Sequence, residues 1–475
     1  MIPETVRHFI GGQYAYSSLR KSYGVTDPAT GKEYAQVEVG LAADVNQAVL
    51  AALAALEAGP WAEMTAPDRA TVLSGIADAI DARASDIATA EALGPGLPVA
   101  QSKDLSERGR DAFRQSAELI TARAAAGSLA VERPAGVAGL ITSWRTPFLT
   151  QARAVAAALA AGCAVVLKPD ERAPLPAALL AEIAAAAGLP DGVLNVVHGS
   201  RHRKAQGPQA RDALIAHPRV ARVWFAGDAA DGRQVMLDAA THGKRLAAAI
   251  AGGAPGLICA DADLERAVDG ALFGAFAVNG QRRTATSTIL VEQPAYDTVV
   301  RRLAERADRI RVGDPADPAT EVGPLPSAEH YDKLTACVRL GVREGARLAA
   351  GGRRPPGLPE GNYLAPTVLA DVTASMQVFA EPVGGPVVRV TPFGDDDEAV
   401  SLANAVPHLA AAYIWTFDAQ RARRLAPAIE CPGTWVNSGN RADRLDGEAG
   451  ADFFTESRTA FIAADDEPPA LRFGA

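Results

Sequence analysis

Arg283 stands in the segment Val278-Asn279-Gly280-Gln281-Arg282-Arg283-Thr284-Ala285. Its guanidinium stays protonated at any working pH and cannot act as a nucleophile. Thr284, Thr286, Ser287 and Thr288 bring hydroxyls close behind it, but a hydroxyl attacks only with a base beside it, and the loop holds no His, Asp or Glu. These hydroxyls are expected to bond local backbone at the start of a strand. The four cysteines, Cys163, Cys259, Cys337 and Cys431, are far apart and form no CxxC pair, which removes the usual zinc and redox-dithiol patterns. Cys163 and Cys259 lie in apolar strand contexts and read as inert core thiols.

The elements that must position these residues are legible from hydrophobic periodicity. Val45, Ala48, Val49, Ala52 and Leu53 recur at helical spacing, as do Val72, Leu73, Ile76 and Ile80, so the stretch from about 44 to 124 reads as helical. The period then changes. Short apolar runs at 136–141, 164–167, 193–197 and 222–225 alternate with helical segments, among them 151–161 and 176–187, the second opened by Pro176. Strands alternating with helices of this length make βαβ units and a parallel sheet. The alternation restarts after Gly252 with Leu257-Ile258-Cys259, a helix from Leu264, a strand at 287–291 and a helix from Ala295, which implies a second α/β domain. The stretch from Phe453 to Ile462 is strand-like and reads as an arm that pairs with another element, often in another subunit.

The balance of 47 basic and 56 acidic residues gives a net charge of −9 without long runs of one sign, which argues against nucleic acid and against an anionic membrane surface as partner. The apolar runs are broken by Arg, Asp or Pro before they could span a bilayer, and the first residues lack the basic and apolar regions of a signal peptide. A cytoplasmic protein with reduced thiols is expected.

The order of motifs resembles the aldehyde dehydrogenase superfamily over nearly the whole chain. The markers run from Phe9-Ile10-Gly11-Gly12 and Asp27-Pro28-Ala29-Thr30-Gly31 through Arg133-Pro134-Ala135-Gly136-Val137, Trp144-Arg145-Thr146-Pro147-Phe148 and the Gly162–Pro169 segment. They continue with Gly280-Gln281, Gly385-Pro386-Val387 and Gly433-Thr434-Trp435-Val436-Asn437-Ser438. The resemblance implies an α/β fold with two parallel-sheet domains and a β-arm for oligomerisation. Residues 1–114 and 136–246 would form the dinucleotide-binding domain, 247–440 the catalytic-type domain, and 115–135 with 441–475 the arm.

The same resemblance identifies what each position would do. Arg283 stands where the family carries its nucleophilic cysteine. Ala249, 34 residues earlier, stands at the general base, and Arg145 at the asparagine of the oxyanion hole. Trp144, Lys168, Glu171 and Gly227 match residues that meet NAD or NADP. Asp228 places a carboxylate at the helix N-terminus that would receive the pyrophosphate, while doubling as a helix cap. Pro382 replaces the glutamate that holds the nicotinamide ribose, Gly384 replaces the neighbouring aromatic, and the anchor loop is shortened to 439–443.

These replacements lead to the expectation of a catalytically inactive member that binds dinucleotide weakly or not at all. It would serve as a structural or regulatory subunit, as a homo-oligomer or with an active homologue. One alternative is an NAD(P)-dependent oxidoreductase acting on aldehydes with a relocated or altered site. Another is a protein that binds a small anion between Arg145 and Arg283. Two guanidinium groups about 5 Å apart repel by roughly 3 kcal/mol at an effective dielectric near 20, so such a pair needs a partner. Glu381 or a bound carboxylate or phosphate could supply it; otherwise both side chains turn outward or cross a subunit interface.

Overall fold

Two seven-stranded sheets carry the chain, each built from the short Val-, Leu- and Ile-rich runs that a sheet covered on both faces requires. The computed structural model describes residues 3–126, 131–200, 209–381, 383–438 and 450–458.

The first sheet comprises β1 (His8–Ile10), β2 (Gln13–Ala15), β3 (Val137–Ile141), β4 (Ala164–Lys168), β5 (Leu194–Val196), β6 (Val220–Gly227) and β7 (Arg245–Ile250). Across the sheet they run β7-β6-β3-β4-β5-β1-β2, with the five strands from β7 to β5 parallel. From β3 the chain steps outward to β4 and β5, then returns to the other side of β3 for β6. The crevice at the carboxyl ends of β3 and β6 is therefore a topological switch point, where open α/β sheets place their ligands. Strand β7 is an element that periodicity passes over. Its Ala247-Ala248-Ala249 core has little β-propensity, and its register is set by parallel pairing with β6, which puts Ala249 opposite Ala226.

The second sheet comprises β8 (Pro255–Ile258), β9 (Thr288–Glu292), β10 (Arg347–Ala350), β11 (Thr367–Ala370), β12 (Val387–Phe393), β13 (Ala412–Trp415) and β14 (Thr434–Val436). Its order is β10-β11-β12-β9-β8-β13-β14, parallel except at β10. The expected α/β fold with parallel sheets is thus present.

Helix α1 (Val99–Ala126) packs along helix α2 (Pro147–Ala160). Helix α2 starts at Pro147, earlier than the apolar run suggests, because proline at the first position loses no hydrogen bond. Helix α3 (Ala229–Thr241) follows β6, and α4 (Leu264–Phe276) delivers the chain to the Arg283 loop. Outside both sheets, Val131–Pro134 pairs antiparallel with Thr455–Arg458. Just before that ladder Phe454 enters the core of the first sheet: it is fully buried, and its carbonyl accepts from Ala135 N at 2.9 Å. The expected strand is therefore observed over four residues, paired within the chain; its expected continuation to 462 lies outside the described residues. Among the described residues no helix is long and apolar enough to cross a membrane.

Candidate functional site

The loop that holds Arg283 is fixed by its own backbone. Val278 and Asn279 both take φ 56°, in the left-handed region that costs a β-branched residue most. Asn279 is fully buried and holds this shape. Its side-chain amide donates to Gly96 O at 2.8 Å and Pro324 O at 3.2 Å, and its Oδ1 accepts from Gly323 N at 2.7 Å. Gly280 has φ 64°, and a Cβ there would lie 2.4 Å from Gly385 O. Arg282 then turns back over α4, donating to Phe273 O and Gly274 O at 3.1 Å, at the carbonyl-rich end of that helix. The hydroxyl expectation is corrected at Thr288, whose buried Oγ1 has no partner among the described residues.

Arg145 and Arg283 line one cavity, together with Ala249 from β7, Gly227 from β6, Arg108 from α1, and Thr150 and Arg153 from α2. The three replaced positions identified by spacing are thus brought together. Arg145 does not turn outward: its side chain is only 11% exposed, and Nε and Nη2 donate to Asp228 Oδ1 at 3.0 and 2.8 Å. Its partner is Asp228 rather than Glu381. Its guanidinium carbon also stands 4.6 Å from the Trp144 ring centre. Gly384 makes this seat possible, since a Cβ there would meet Arg145 Nη2 at 2.2 Å.

Asp228 is also not the helix cap expected from its position. It is the N-cap residue of α3, but its side chain makes no capping hydrogen bond and turns to Arg145. Burial pushes its carboxyl up; the Arg145 charge and hydrogen bonds, with Arg172 and His330 beyond, outweigh that and hold it below the usual carboxylate range. His330 completes this wall. Its ring packs edge-on to Trp144 with centres 5.0 Å apart, and its Nε2 lies 2.7 Å from Gly384 O. Burial lowers its pKa to about 4, despite the Gly384 contact.

Beside Trp144 a second cavity of about 220 Å³ opens at the switch point. It is lined by Ile141–Trp144 at the end of β3, by Lys168 and Asp170 after β4, and by Phe225–Asp228 at the end of β6. Lys168 is buried here. Trp144 is 1% exposed, and its indole N–H has no acceptor among the described residues. Glu171 is half-buried just past this edge, where its carbonyl accepts from the Tyr23 hydroxyl at 3.2 Å. Pro382 and the 439–443 loop lie outside the described residues. Arg108, Arg153 and His330 escape sequence reasoning because a charged residue on a helix reads as a solvated face; only the packing of the helices brings them to the site.

The remaining reactive cluster lies after β8. Ligand atoms of Cys259, Asp261 and Glu292 fall within 4.8 Å of one another. Glu292 accepts from Arg421 at 2.9 Å and from Ala260 N at 2.6 Å. Burial first, with the nearby carboxylates, pushes the Cys259 thiol up to about 12 against the pull of Arg421. Burial likewise raises Cys163 to about 11.

Comparison with known proteins sets this geometry in context. A family profile described as "Aldehyde dehydrogenase family" matches residues 14–450. The chain is 41% identical over 448 residues to 5-carboxymethyl-2-hydroxymuconate semialdehyde dehydrogenase of Escherichia coli, covering 91% of this chain and 93% of that one. It is 36% identical over 450 residues to 2-hydroxymuconic semialdehyde dehydrogenase of Pseudomonas sp. (strain CF600), covering 91% of each. Among solved structures, HpcC from Thermus thermophilus superposes with TM-score 0.90 at 35% identity, covering 99% of this chain and 95% of that one. The NAD+ complex of aldehyde dehydrogenase from Bacillus cereus does so with TM-score 0.90 at 32% identity, covering 97% and 96%.

These findings overturn the expectation of an inactive subunit. Relatives aligned over nine-tenths of the chain are named as dehydrogenases, nothing among the described residues demonstrates inactivity, and Cys259 and Glu292 stand close together. The alternative of an oxidoreductase with an altered or relocated site is the one they favour. On profile, identity and superposition alike, the chain belongs to the aldehyde dehydrogenase family.

Proposed function

We propose that this protein is an NAD(P)-dependent oxidoreductase acting on aldehydes that carry a carboxylate, through an altered site centred on Arg145 and Arg283. The observation that carries this reading is the shared cavity lined by Arg108, Arg145, Arg153, Arg282 and Arg283, next to the switch-point cavity. Five arginines line one space, Arg145 paired with Asp228, Arg108 with Asp104 and Arg282 turned onto the end of α4. The excess of basic over acidic residues in that lining favours an anionic substrate, in keeping with relatives named for muconate-type semialdehydes. The Cys259 cluster supports a relocated nucleophile less well, because a thiol raised to about 12 is almost wholly protonated at neutral pH.

The switch-point cavity suits a dinucleotide. Lys168 is buried against it, the Trp144 N–H lacks an acceptor among the described residues, and the Asp228 charge is offset by Arg145. Trp144, Lys168 and Gly227 would hold the cofactor, with Glu171 at the edge. When bound, a nicotinamide dinucleotide would supply the hydride acceptor. The chain's own part is electrostatic. Arg283 places positive charge where the oxygen of a hydrated aldehyde would lie, easing loss of a hydroxyl proton to solvent as the C–H hydride leaves. The hydrate R–CH(OH)2 thereby becomes the acid R–COOH without a covalent enzyme intermediate. Ala249, small and without a proton-accepting group, leaves space for the second hydroxyl.

The dinucleotide part is assigned to 1–114 and 136–246, the catalytic part to 247–440, and a homo-oligomerising arm to 115–135 with 441–475. The Val131–Pro134 ladder with Thr455–Arg458 supports the arm.

The test is NAD(P)-dependent oxidation of carboxylated and neutral aldehydes by the purified chain and by a variant with all four cysteines changed to alanine. The cysteine-free protein is expected to keep its turnover, and Arg283→Ala to lose about 100-fold or more in kcat/KM. Activity that vanished with Cys259→Ala alone would replace the arginine site with the relocated thiol. No turnover of any aldehyde would end the oxidoreductase reading.

A further inference from the structure

We propose that Arg145 is a dinucleotide-binding residue held in reserve by Asp228: the carboxylate occupies the cation that the diphosphate of the ligand takes. The inference rests on the cofactor assignment above and adds a residue and a mode of binding to it.

Two cations flank the Trp144 ring, and their partners differ. Arg172, with its guanidinium carbon 5.1 Å from the ring centre, donates to both oxygens of Asp170 at 2.8 and 2.9 Å. The Asp170 side chain is only 4% exposed, so that pair is shut in. Arg145 is paired through one oxygen, Asp228 Oδ1, and the Asp228 side chain is 39% exposed. A carboxylate with that much access to water can leave at little cost in desolvation, whereas Asp170 cannot.

The position of the pair also points to a phosphate. Asp228 stands at the N-terminus of the 13-residue helix α3 and lines the switch-point cavity without capping the helix. The end of that helix is thus left with amide donors that the Asp228 side chain does not use. The Trp144 indole N–H, almost fully buried in the same cavity wall, has no acceptor among the described residues. A diphosphate drawn in here finds amide donors, the indole donor and, on displacing Asp228, the Arg145 guanidinium. Asp170 after β4, Asp212 and Asp231 in the first turn of α3 also line the cavity, against Lys168 and Arg211. Arg145 stands beside that lining, held to its Asp228, and would supply a further cation when Asp228 is displaced.

The experiment is calorimetric titration of the full chain with NAD+ and with ADP-ribose, using adenosine as a phosphate-free control. The variants are Asp228→Asn, Arg145→Ala and the double variant, each checked for an unchanged far-UV spectrum, with Asp228→Ser replacing Asp228→Asn if that variant fails to fold. Removing the competing charge in Asp228→Asn is expected to tighten NAD+ and ADP-ribose about tenfold and to leave adenosine unchanged. Adding Arg145→Ala to Asp228→Asn is expected to weaken both phosphate ligands about tenfold or more. If Arg145→Ala costs nothing once Asp228 is neutral, Arg145 serves only to balance Asp228 and the proposal fails, while the cofactor assignment stands. Weaker binding in Asp228→Asn also overturns it, because Asp228 would then contribute to the ligand. No binding of NAD+ or ADP-ribose to any of the proteins overturns both this proposal and the cofactor assignment.

Discussion

Arg145 shows how a single side chain can depend on two distant neighbours. It needs the absence of a side chain at residue 384 and the presence of a carboxylate at 228, and both conditions are met. Changes that look like separate losses in the sequence are therefore parts of one arrangement. Gly384→Ala is expected to push the guanidinium off Asp228 and to destabilise the protein by about 1–3 kcal/mol, the usual cost of overpacking. The same substitution made in Arg145→Ala should cost much less, because the clashing atoms are gone. Melting temperatures of the four proteins check this coupling, and equal losses in both backgrounds would refute it. The Asp228 carboxyl is held below its ordinary range, so its pair stabilises the fold at neutral pH and stops doing so only as the pH falls through that depressed pKa.

At the level of elements, Glu91 stands in contrast to the arginines. It lies on the helix Ala84–Leu93, is fully buried, and accepts from Phe148 N at 2.7 Å in the first turn of α2. Its second oxygen has no partner among the described residues. Burial pushes its pKa up to about 8 against the pull of that hydrogen bond. A folded pKa above the unfolded value means that stability is full below about pH 4.3 and drains away as the pH rises towards 8. The loss amounts to about 3–5 kcal/mol at most. His8 and His330, both lowered to about 4 chiefly by burial, act in the opposite sense and cost stability as the pH falls below about 6.5. Glu91→Gln is expected to flatten the alkaline side of the stability profile and leave the acid side unchanged. Chemical denaturation between pH 5 and 9 measures it; parallel profiles for the two proteins would show that Glu91 is ionised in the fold.

For the molecule as a whole, the fold was far more legible than the site. Buried parallel strands such as Val165-Val166-Leu167 announce themselves because sheets covered on both faces need continuous apolar runs. Strand β7 did not, since alanines carry no such signal and the pairing with β6 determines its register. Spacing points to Ala249 and Arg283 as one site, and both line the same cavity. It could not show that Arg145 and Asp228, 83 residues apart, form an ion pair, and it therefore took Asp228 for a cap and a repulsive charge. Inferring inactivity from the replaced positions went wrong for a related reason. It judged each residue by the group it lacks, whereas the relatives show the scaffold in proteins named as dehydrogenases.

The entry of Phe454 into the first core sets an order for folding during synthesis. Phe454 is fully buried among residues of the first sheet and its helices, its carbonyl receives Ala135 N, and it also accepts from the Cys163 thiol at 3.2 Å. Ribosomes release domains in sequence, and an amino-terminal unit ordinarily settles while the rest is still being made. Here the plug for the first core is translated some 300 residues after the strands it seals. The nascent first unit must wait with an unfilled apolar notch through the whole synthesis of the second sheet, a window in which a chaperone would find it. Phe454→Ala is expected to destabilise the finished protein by about 3–5 kcal/mol. Its larger effect should be on yield, and pulse-labelled chains stalled before residue 450 should stay protease-sensitive across β3 and β4 until the last segment emerges.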